Sequence, residues 1–309
     1  MTGILLPVMN PPKAEWKISL HGGHSGEFCE HAEGSLREIL EAAYQAGYNV
    51  FGVAEHMPRV EARFLYPKEI EWGWTPQTLD EIFDRYAHTI TQLADEFADR
   101  LTVLRGFEIE VVPQERYVEL VQYYRQKYQF DYMVGSVHYL HDASIDGYSE
   151  ANFLEMMERV GGMEEVAVQY YHKVAEMAQA VRPEVIGHLD LVRLKATRLG
   201  LAEQVATERV RKAVEHALEA IRAVGARVEV NTSALRKGLD QPYPADWIVQ
   251  LGARMGVMFC IGDDSHRPAQ VGFGLDEARL HLLRNGVRTV HFLTREKGHI
   301  VPASASLEG

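Results

Sequence analysis

The sequence predicts one large α/β domain spanning residues 1–309, with a barrel of parallel strands as its simplest form. The length and the 46% hydrophobic content are enough for an extensive core. Short runs rich in β-branched and aromatic residues alternate with longer segments of helical period, which is typical of βαβ units. No linker rich in Pro, Gly or Ser divides the chain. A doubly wound open sheet has the same alternation and is the alternative fold.

Seven runs have the composition of β-strands, and most of them precede a helical segment. They are residues 16–20, 49–54, 101–109, 130–137, 184–187, 227–230 and 257–261. An eighth run, 287–293, predicts a further strand. The terminal residues SASLEG are predicted to be disordered.

Helix signals are clearest over residues 35–46. Ser35 is placed as the N-cap, Glu38 follows three residues later, and Gly47 follows the last turn. Further helices are predicted over 78–99 and 207–224. The segment 146–182 has a helical pattern and is longer than a simple crossover, which indicates a helical insertion within the domain.

The charge balance argues against two classes of partner. Lys and Arg number 32 and Asp and Glu 44, giving a net charge of −12 that repels nucleic-acid phosphates and anionic membrane surfaces. The sequence has no apolar run of membrane-spanning length and no signal-peptide pattern, so the expected location is the cytoplasm. The two cysteines, Cys29 and Cys260, fit a reducing compartment and are expected to stay unpaired.

Side chains with metal-binding chemistry follow the predicted strands. Because the carboxyl ends of parallel strands meet at one rim of a barrel, we expect these residues to converge. A single histidine after a strand is usually an ordinary loop residue, but repetition over seven strands makes that explanation weak. In strand order the residues are His21, His24 and His31; Glu55 and His56; Glu108 and Glu110; His138 and His141; His188 and Asp190; Asn231, Ser233, Arg236 and Lys237; and Asp263, Asp264 and His266.

Imidazoles mixed with carboxylates are the ligands preferred by Zn²⁺, Mn²⁺ or Fe²⁺. The set exceeds the needs of one ion, which indicates a multinuclear centre able to polarise a substrate oxygen and supply a hydroxide nucleophile. Glu55 and Asp190 are expected to orient His56 and His188 rather than to bind metal. Cys29 is expected to pack in its loop, with a thiolate ligand as the alternative. The histidines expected on the surface or on helix faces are His141, His172, His216, His281, His291 and His299.

Five motifs carry a resemblance to a known family. They are AEHMPRVEARFLYP (54–67), GSVHYL (135–140), VIGHLDL (185–191), EVNTSALRKGLDQPYP (229–244) and DDSHRPAQVG (263–272). Over about residues 20–274 the chain resembles the polymerase-and-histidinol-phosphatase (PHP) family, in particular its monofunctional histidinol-phosphate phosphatase branch. The resemblance implies a distorted (β/α)₇ barrel with three divalent metal ions at the carboxyl rim.

Carried onto this chain, the resemblance implies three groups of metal ligands. The first is His21, His24, Glu108 and Asp264; Glu108 bridges to a second metal held by His138 and His188; and the third is His31, His56 and His266. The first motif departs from the family's usual His-x-His, because the alignment puts Gly22 where the first ligand belongs. Neighbouring side chains on a strand point to opposite faces, so His21 can serve only if Gly22 and Gly23 let the backbone bulge.

The resemblance further implies a phosphoric monoester hydrolase that converts L-histidinol phosphate to L-histidinol and phosphate in histidine biosynthesis. Glu108, Asp264 and His266 are its predicted catalytic residues, with Asp264 or a bound water protonating the leaving oxygen. Because the protein is acidic, local cations must hold the phosphate, and Arg59, Arg63 and Arg236 are the candidates. For the imidazole and amine of the substrate the sequence leaves three candidates open, which are Glu55, Tyr66 and Asp142.

Three other functions fit the same sequence. The first is a PHP phosphoesterase acting on another small phosphate monoester. The second is an amidohydrolase-like deaminase or lactonase, since metal-lined barrels recur across chemistries. The third is a non-catalytic metal-binding barrel that has lost a ligand, and Gly22 is the feature in its favour.

Overall fold

The computed structural model describes residues 14–147 and 149–308. In chain order its strands are β1 (Ile18–Ser19), β2 (Val50–His56), β3 (Thr102–Glu108), β4 (Tyr132–Gly135), β5 (Tyr139–Leu140), β6 (Ala143–Ser144), β7 (Val185–Ile186), β8 (Arg227–Asn231), β9 (Met258–Gly262), β10 (Thr289–Glu296) and β11 (His299–Ser306). A seven-stranded parallel sheet has the order β1-β2-β3-β4-β7-β8-β9. Each of its strands lies within or overlaps one of the seven predicted runs.

The sheet closes on itself between β1 and β9. Leu20 donates its backbone N–H to the Ile261 carbonyl at 2.9 Å, and Gly23 forms a parallel bridge with Ser265. The predicted seven-stranded α/β barrel is therefore confirmed, and the open sheet is excluded. Because parallel strands end at the same rim, the residues that follow them are brought together at one end of the barrel.

The helices surround the barrel. They are α1 (Leu36–Gln45), α2 (Pro67–Glu71), α3 (Pro76–Phe97), α4 (Tyr117–Tyr128), α5 (Glu150–Val160), α6 (Met163–Val181), α7 (Val192–Arg198), α8 (Glu208–Val224), α9 (Ser233–Arg236), α10 (Asp246–Met255) and α11 (Leu275–Arg284). The predicted capping box of α1 is confirmed, since Ser35 accepts from the Glu38 backbone and Glu38 accepts from the Ser35 backbone. Helix α3 begins at Pro76, two residues before the predicted start, because Thr75 is its N-cap.

The long connection from β4 to β7 contains the segment expected to be a helical insertion. Helix α6 packs against α8 on the outside of the barrel and serves as the crossover helix. The β5–β6 hairpin and α5 are the elements added to that simple crossover. Ile145 follows the hairpin and donates to the His138 carbonyl at 2.8 Å, which ties this added segment to the rim.

The eighth predicted strand exists but does not join the barrel. Strand β10 pairs with β11 in an antiparallel hairpin, from Thr289 opposite Ser306 to Glu296 opposite His299. The prediction of disorder for the terminal residues is therefore wrong over Ser304–Ser306. The missed signal is the Lys297-Gly298 turn, where both residues have positive φ as a tight two-residue hairpin turn requires.

Two sequence expectations about side chains have different outcomes. Cys29 and Cys260 are both free and buried, as expected. His281, expected on the surface or on a helix face, lies on the buried face of α11, and its Nε2 lies 2.9 Å from the Pro244 carbonyl. Within the described ranges, none of the helices has the combination of length and apolar character that crossing a bilayer requires.

Candidate metal centre

Glu108 lies in the middle of the converging side chains, at the end of β3, and its side chain is buried. Its Oε1 is 3.0 Å from His188 Nε2 and 3.3 Å from His138 Nε2. Its Oε2 is 2.9 Å from His56 Nδ1 and 3.5 Å from His21 Nε2. Ligand atoms that share one zinc ion at about 2.1 Å are about 3.4 Å apart in a tetrahedron, so these spacings suit a carboxylate shared between ions.

Three groups of side chains in the described part of the chain have ligand atoms within 4.8 Å of one another. They are His21, His24 and Glu108; Glu108, His138 and His188; and His24, Cys29, His56 and His266. The first two groups match the predicted first and second sets, except that the first does not include Asp264, whose Oδ1 lies 3.8 Å from His21 Nε2 and 3.5 Å from His24 Nε2. The third contains His56 and His266 as predicted, but Cys29 in the place predicted for His31.

His21 reaches the centre through an irregular backbone. His21 and His24 are three residues apart, so a regular strand would turn them to opposite faces. In a regular parallel strand, the backbone N–H groups of residues two apart donate to the same neighbouring strand. Here the N–H groups of Leu20 and His24 donate to β9 and the segment after it, whereas the N–H of Gly22 between them donates to β2. Both side chains therefore face inward, with ring centroids 5.6 Å apart. The hydrogen bonds that show the change are Leu20 N to Ile261 O (2.9 Å), Gly22 N to Gly52 O (2.7 Å) and His24 N to Ser265 O (2.7 Å).

The packing around the two glycines explains the departure from His-x-His. A Cβ on Gly22 would lie 2.4 Å from the ring of Phe51, and one on Gly23 would lie 2.8 Å from Ile39. Neither position has room for a side chain, so a histidine at position 22 could not be accommodated. The His21 side chain faces Glu108 instead, and the Asp264 backbone donates to the His21 carbonyl at 2.8 Å to hold this conformation.

Three buried glutamates hold the imidazoles in orientation. Each lies 3.2 Å from the Nδ1 of one histidine, which leaves Nε2 directed toward the centre. A carboxylate on the far nitrogen fixes the tautomer and makes the imidazole a better ligand. The pairs are Glu229 with His21, Glu55 with His24, and Glu110 with His138.

Two of the expected orienting contacts differ in the structure. Glu55 contacts His24, not His56, and it also accepts from the backbone of Ser25 at 2.7 Å. The reason is geometric: adjacent residues of β2 point to opposite sides, so Glu55 cannot face the same ligand environment as His56.

Asp190 does not contact His188. It accepts instead from Arg193 Nε at 2.8 Å and from the Ala245 backbone at 3.0 Å, which places it behind the rim. The His188 backbone N–H donates to Glu229 at 2.9 Å. Glu229 therefore supports two of the rim histidines. Sequence analysis missed it, although a glutamate inside an otherwise apolar strand was a signal, because a buried charge needs partners.

Asp264 is held in place from several sides. Its Oδ2 accepts from Ser233 Oγ at 3.0 Å and lies 3.4 Å from Asn231 Nδ2. Its carbonyl is 2.6 Å from Arg236 Nη2 and 3.0 Å from His266 Nδ1. The remaining oxygen, Oδ1, faces the first group of histidines. A carboxylate fixed in this way presents one oxygen for binding a cation.

The surrounding carboxylates favour positive charge on the inner histidines. Burial lowers the pKa of His21, but the neighbouring carboxylates, Glu229 first, raise it well above the ordinary value. Burial also lowers the pKa of His24, while Asp264 and a second carboxylate outweigh it and raise the pKa to about 9.

The carboxylates respond in the complementary direction. Burial raises the pKa of Glu108, but His21 and His138 lower it well below the ordinary value. Burial likewise raises the pKa of Asp264, and His21 and His24 lower it further than burial raises it. The carboxylates of Glu108 and Asp264 therefore stay ionised, and their negative charges favour the binding of divalent cations.

A pocket of about 530 Å³ opens above these residues. It contains His56, His138, His188, Asp264 and His266 at its inner end. Three cationic side chains also line it: Arg236 and Lys237 at the end of α9, and Arg198 at the end of α7. Arg198 was not among the predicted substrate-binding residues, because its helical position gave no signal of where it would point.

The comparisons identify the family. The PHP domain model matches residues 21–233, which is more than half of the chain. The chain belongs to the PHP domain family. A relative from Schizosaccharomyces pombe, named probable histidinol-phosphatase, is 33% identical over 282 residues, covering 91% of this chain and 90% of the relative.

Two solved structures share the fold of this PHP protein. One is hisK from Listeria monocytogenes, with a TM-score of 0.74 and 23% identity, covering 84% of this chain and 99% of that one. The other is a histidinol phosphate phosphatase from Lactococcus lactis, complexed with zinc, L-histidinol and phosphate, with a TM-score of 0.67 and 20% identity, covering 93% of this chain and 99% of that one.

The predicted third group, His31, His56 and His266, lies nearest the solvent. His31 is half-buried, its ring centroid is 4.7 Å from that of His266, and its Nε2 is 3.4 Å from Cys29 Sγ. Burial raises the pKa of the Cys29 thiol well above its usual value, which favours the neutral thiol. Burial, followed by the charge of His24, lowers the pKa of both His56 and His266 and keeps them neutral, as metal ligation requires.

Of the three predicted arginines, only Arg236 lines the pocket. Arg59 is buried, pairs with Glu69 and stacks over the Tyr66 ring at 3.8 Å. Arg63 is half-exposed and pairs with Asp142 on the outer surface. Arg59 lines a smaller adjoining cavity together with His31, His56 and Tyr66. Carboxylates pair with both arginines, and Arg63 lies outside the lining of both cavities.

Proposed function

We propose that this protein is a metal-dependent histidinol-phosphate phosphatase, a phosphoric monoester hydrolase that converts L-histidinol phosphate to L-histidinol and phosphate. The observation that carries the proposal is a carboxylate, Glu108, with imidazoles on both oxygens at the base of a pocket walled by three cationic side chains. The names of the relatives support the substrate. Histidine biosynthesis and the cytoplasm are its proposed pathway and location.

The residues fit three divalent ions of the zinc, manganese or iron type. Among the described residues, the Nε2 atoms of His21 and His24 are buried without a hydrogen-bond partner, as expected for nitrogens prepared for metal. The proposed ligands are His21, His24, Glu108 and Asp264 for the first ion; Glu108, His138 and His188 for the second; and His31, His56 and His266 for the third. Bound ions would neutralise the phosphate, activate water and stabilise the leaving oxygen.

The protein's own side chains position the ester. Arg236, Lys237 and Arg198 neutralise and orient the phosphate, and the guanidinium fork of Arg236 can bind two phosphate oxygens at once. His266 Nδ1 lies 3.0 Å from the Asp264 carbonyl and carries the proton that is donated to it. Nε2 therefore keeps a free lone pair that can bind a cation. Glu108 and Asp264 stay ionised and hold the centre together, while the buried glutamates keep the imidazoles aligned.

The competing functions lose their main support. The non-catalytic barrel rested on Gly22, but His21 Nε2 lies 3.5 Å from Glu108, which supports His21 as the replacement for the missing ligand. The amidohydrolase-like alternative gives no reason for three cationic side chains around the pocket. Hydrolysis of a different small phosphate monoester uses the same machinery, so the choice of substrate is what the experiment must test.

The test measures phosphate release from L-histidinol phosphate and from a panel of other monoesters, on protein whose metal content is known from mass spectrometry. We expect a strong preference for L-histidinol phosphate and about three metals per chain. Uniformly weak activity across the panel would contradict L-histidinol phosphate as the substrate. A metal-poor, inactive protein would contradict the proposal that the protein is a metal-dependent enzyme.

A further inference from the structure

The pocket contains an acidic group that the hydrolysis of a phosphate does not use. Outside the metal centre, Asp146 is the carboxylate among the described residues that line the pocket. It follows β6, in the segment added to the β4–β7 crossover, whereas the cationic side chains follow β7 and β8. The pocket therefore has three cationic side chains and, outside the metal centre, one carboxylate on a different segment of the chain.

Asp146 is fixed relative to the metal centre. The preceding residue, Ile145, donates its backbone N–H to the carbonyl of His138 at 2.8 Å. The following residue, Gly147, also lines the pocket, and a Cβ there would lie 2.2 Å from Ser144 Oγ. The position of Asp146 is thus set by the segment that carries His138, and a side chain at position 147 would clash with Ser144.

The charge of Asp146 is not neutralised by the chain. Among the described residues it has no ion pair, in contrast to Asp142 of the same segment, which pairs with Arg63. Asp146 is half-buried. The pKa of the buried Tyr170 hydroxyl is raised by burial first, and then by the negative charges of Asp190 and Asp146. A half-buried carboxylate without a cation gains stabilisation when a ligand brings one.

The other acidic candidates for a substrate amine are occupied. Glu55 is buried and accepts from His24 and Ser25, so its oxygens are committed to the metal centre. Asp142 is exposed, paired with Arg63, and outside the pocket lining. Asp146 was not predicted from the sequence, because no pattern shows where a loop aspartate will point.

We propose that Asp146 binds the primary ammonium group of the substrate and selects phosphate monoesters that carry an amine. This inference rests on the proposed function and names the contact that distinguishes an amino-alcohol phosphate from other monoesters. The phosphate faces the metal centre and the cationic side chains, and the ammonium faces Asp146. An ester without an amine leaves this carboxylate unpaired in the complex.

The experiment compares Asp146→Asn with wild type on two pairs of substrates. The first pair is L-histidinol phosphate and 3-(imidazol-4-yl)propyl phosphate, which has the same carbon skeleton and lacks only the amino group. The second is O-phosphoethanolamine and ethyl phosphate. We expect Asp146→Asn to lower kcat/KM about 10- to 100-fold for the aminated esters, mainly through KM, because a charged hydrogen bond is lost. The esters without an amine should change less than about twofold, since nothing of theirs contacts the carboxylate.

Two further variants separate binding from folding. Asp142→Asn is the matched control: position 142 has φ of +63°, which asparagine tolerates, and its carboxylate lies outside the pocket lining. It should leave both pairs unchanged. Asp146→Glu keeps the charge and should recover part of the preference for amines.

The outcomes separate this inference from the proposed function. Equal effects of Asp146→Asn on aminated and non-aminated esters, or no effect on either, would overturn the ammonium contact. If wild type prefers some ester other than L-histidinol phosphate, the proposed function fails, and the second pair still decides whether Asp146 recognises an amine.

Discussion

Replacing Glu229 with glutamine should weaken metal binding while leaving the barrel folded. Glu229 is fully buried, and its carboxylate lies 3.2 Å from His21 Nδ1. It also accepts from the His188 backbone at 2.9 Å and from Asn231 Nδ2 at 3.0 Å. All three contacts are made to Oε2, and Oε1 lies 3.2 Å from the same His21 nitrogen. Glutamine can keep an acceptor at the position of Oε2, but it removes the negative charge and places an amide N–H₂ beside His21 Nδ1.

The size of the effect follows from these contacts. A Cβ on Gly262 would lie 1.7 Å from Glu229 Oε1, so the buried carboxylate occupies the space that this glycine leaves. Loss of one hydrogen bond to a charged group costs about 1.5–3 kcal/mol. That is about a 10- to 150-fold change in an equilibrium constant, in agreement with the roughly 10- to 100-fold loss of metal affinity when a partner of a metal-bound histidine is removed.

The assay titrates metal-free wild type and Glu229→Gln with buffered zinc, measures metal per chain by mass spectrometry, and records thermal unfolding by circular dichroism. Glu176→Gln is the control, because that carboxylate contacts Tyr117 and Lys173 on the outside of the barrel. An unchanged metal affinity in a folded Glu229→Gln protein would refute the argument that Glu229 prepares His21 for ligation. A fall in metal affinity that Glu176→Gln shares equally would refute it as well.

Three further predictions follow from single contacts. Arg236→Ala should raise KM for the phosphate ester about 10-fold or more with metal content unchanged, measured by steady-state kinetics, because a charged hydrogen bond to phosphate is lost. Gly22→Ala should destabilise the fold by about 1–3 kcal/mol in urea unfolding, because its Cβ would lie 2.4 Å from the Phe51 ring. Burial lowers the pKa of His281 from 6.5, so the folded state takes up its proton less readily than the unfolded chain, and this histidine costs stability as the pH falls below 6.5. His281→Gln should therefore show a shallower loss of stability than wild type over that range.

The order and ends of the strands could be predicted because each depends on local sequence. A strand buried in a parallel barrel is a short run of β-branched and aromatic residues, and a polar residue after it has to lie on the rim. Glu108, His138 and His188 were placed correctly by that rule alone. The β10–β11 hairpin was only half predicted, because its second strand, HIVPASAS, contains small residues and a proline that are unusual in strands.

The partners of the rim residues could not be predicted in the same way. Which glutamate meets which histidine depends on the twist of the barrel and on one irregular turn of backbone at Gly22, and neither is a local property. The arginines show the same limit: Arg59 and Arg236 both follow strands, but the first pairs with Glu69 beside a smaller cavity while the second lines the main pocket.

The acidic net charge and an anionic substrate are compatible because the two act over different distances. Charges are screened beyond about 8–10 Å at physiological ionic strength, so a phosphate inside the pocket responds to its immediate neighbours. Those neighbours are Arg198, Arg236 and Lys237, with the ions that the buried carboxylates are arranged to hold. The net charge of −12 acts on large partners instead, since a phosphate polymer responds to the summed charge of the surface that it approaches. We therefore expect the pocket to admit a small phosphate ester while the net charge disfavours a polymer that carries the same group.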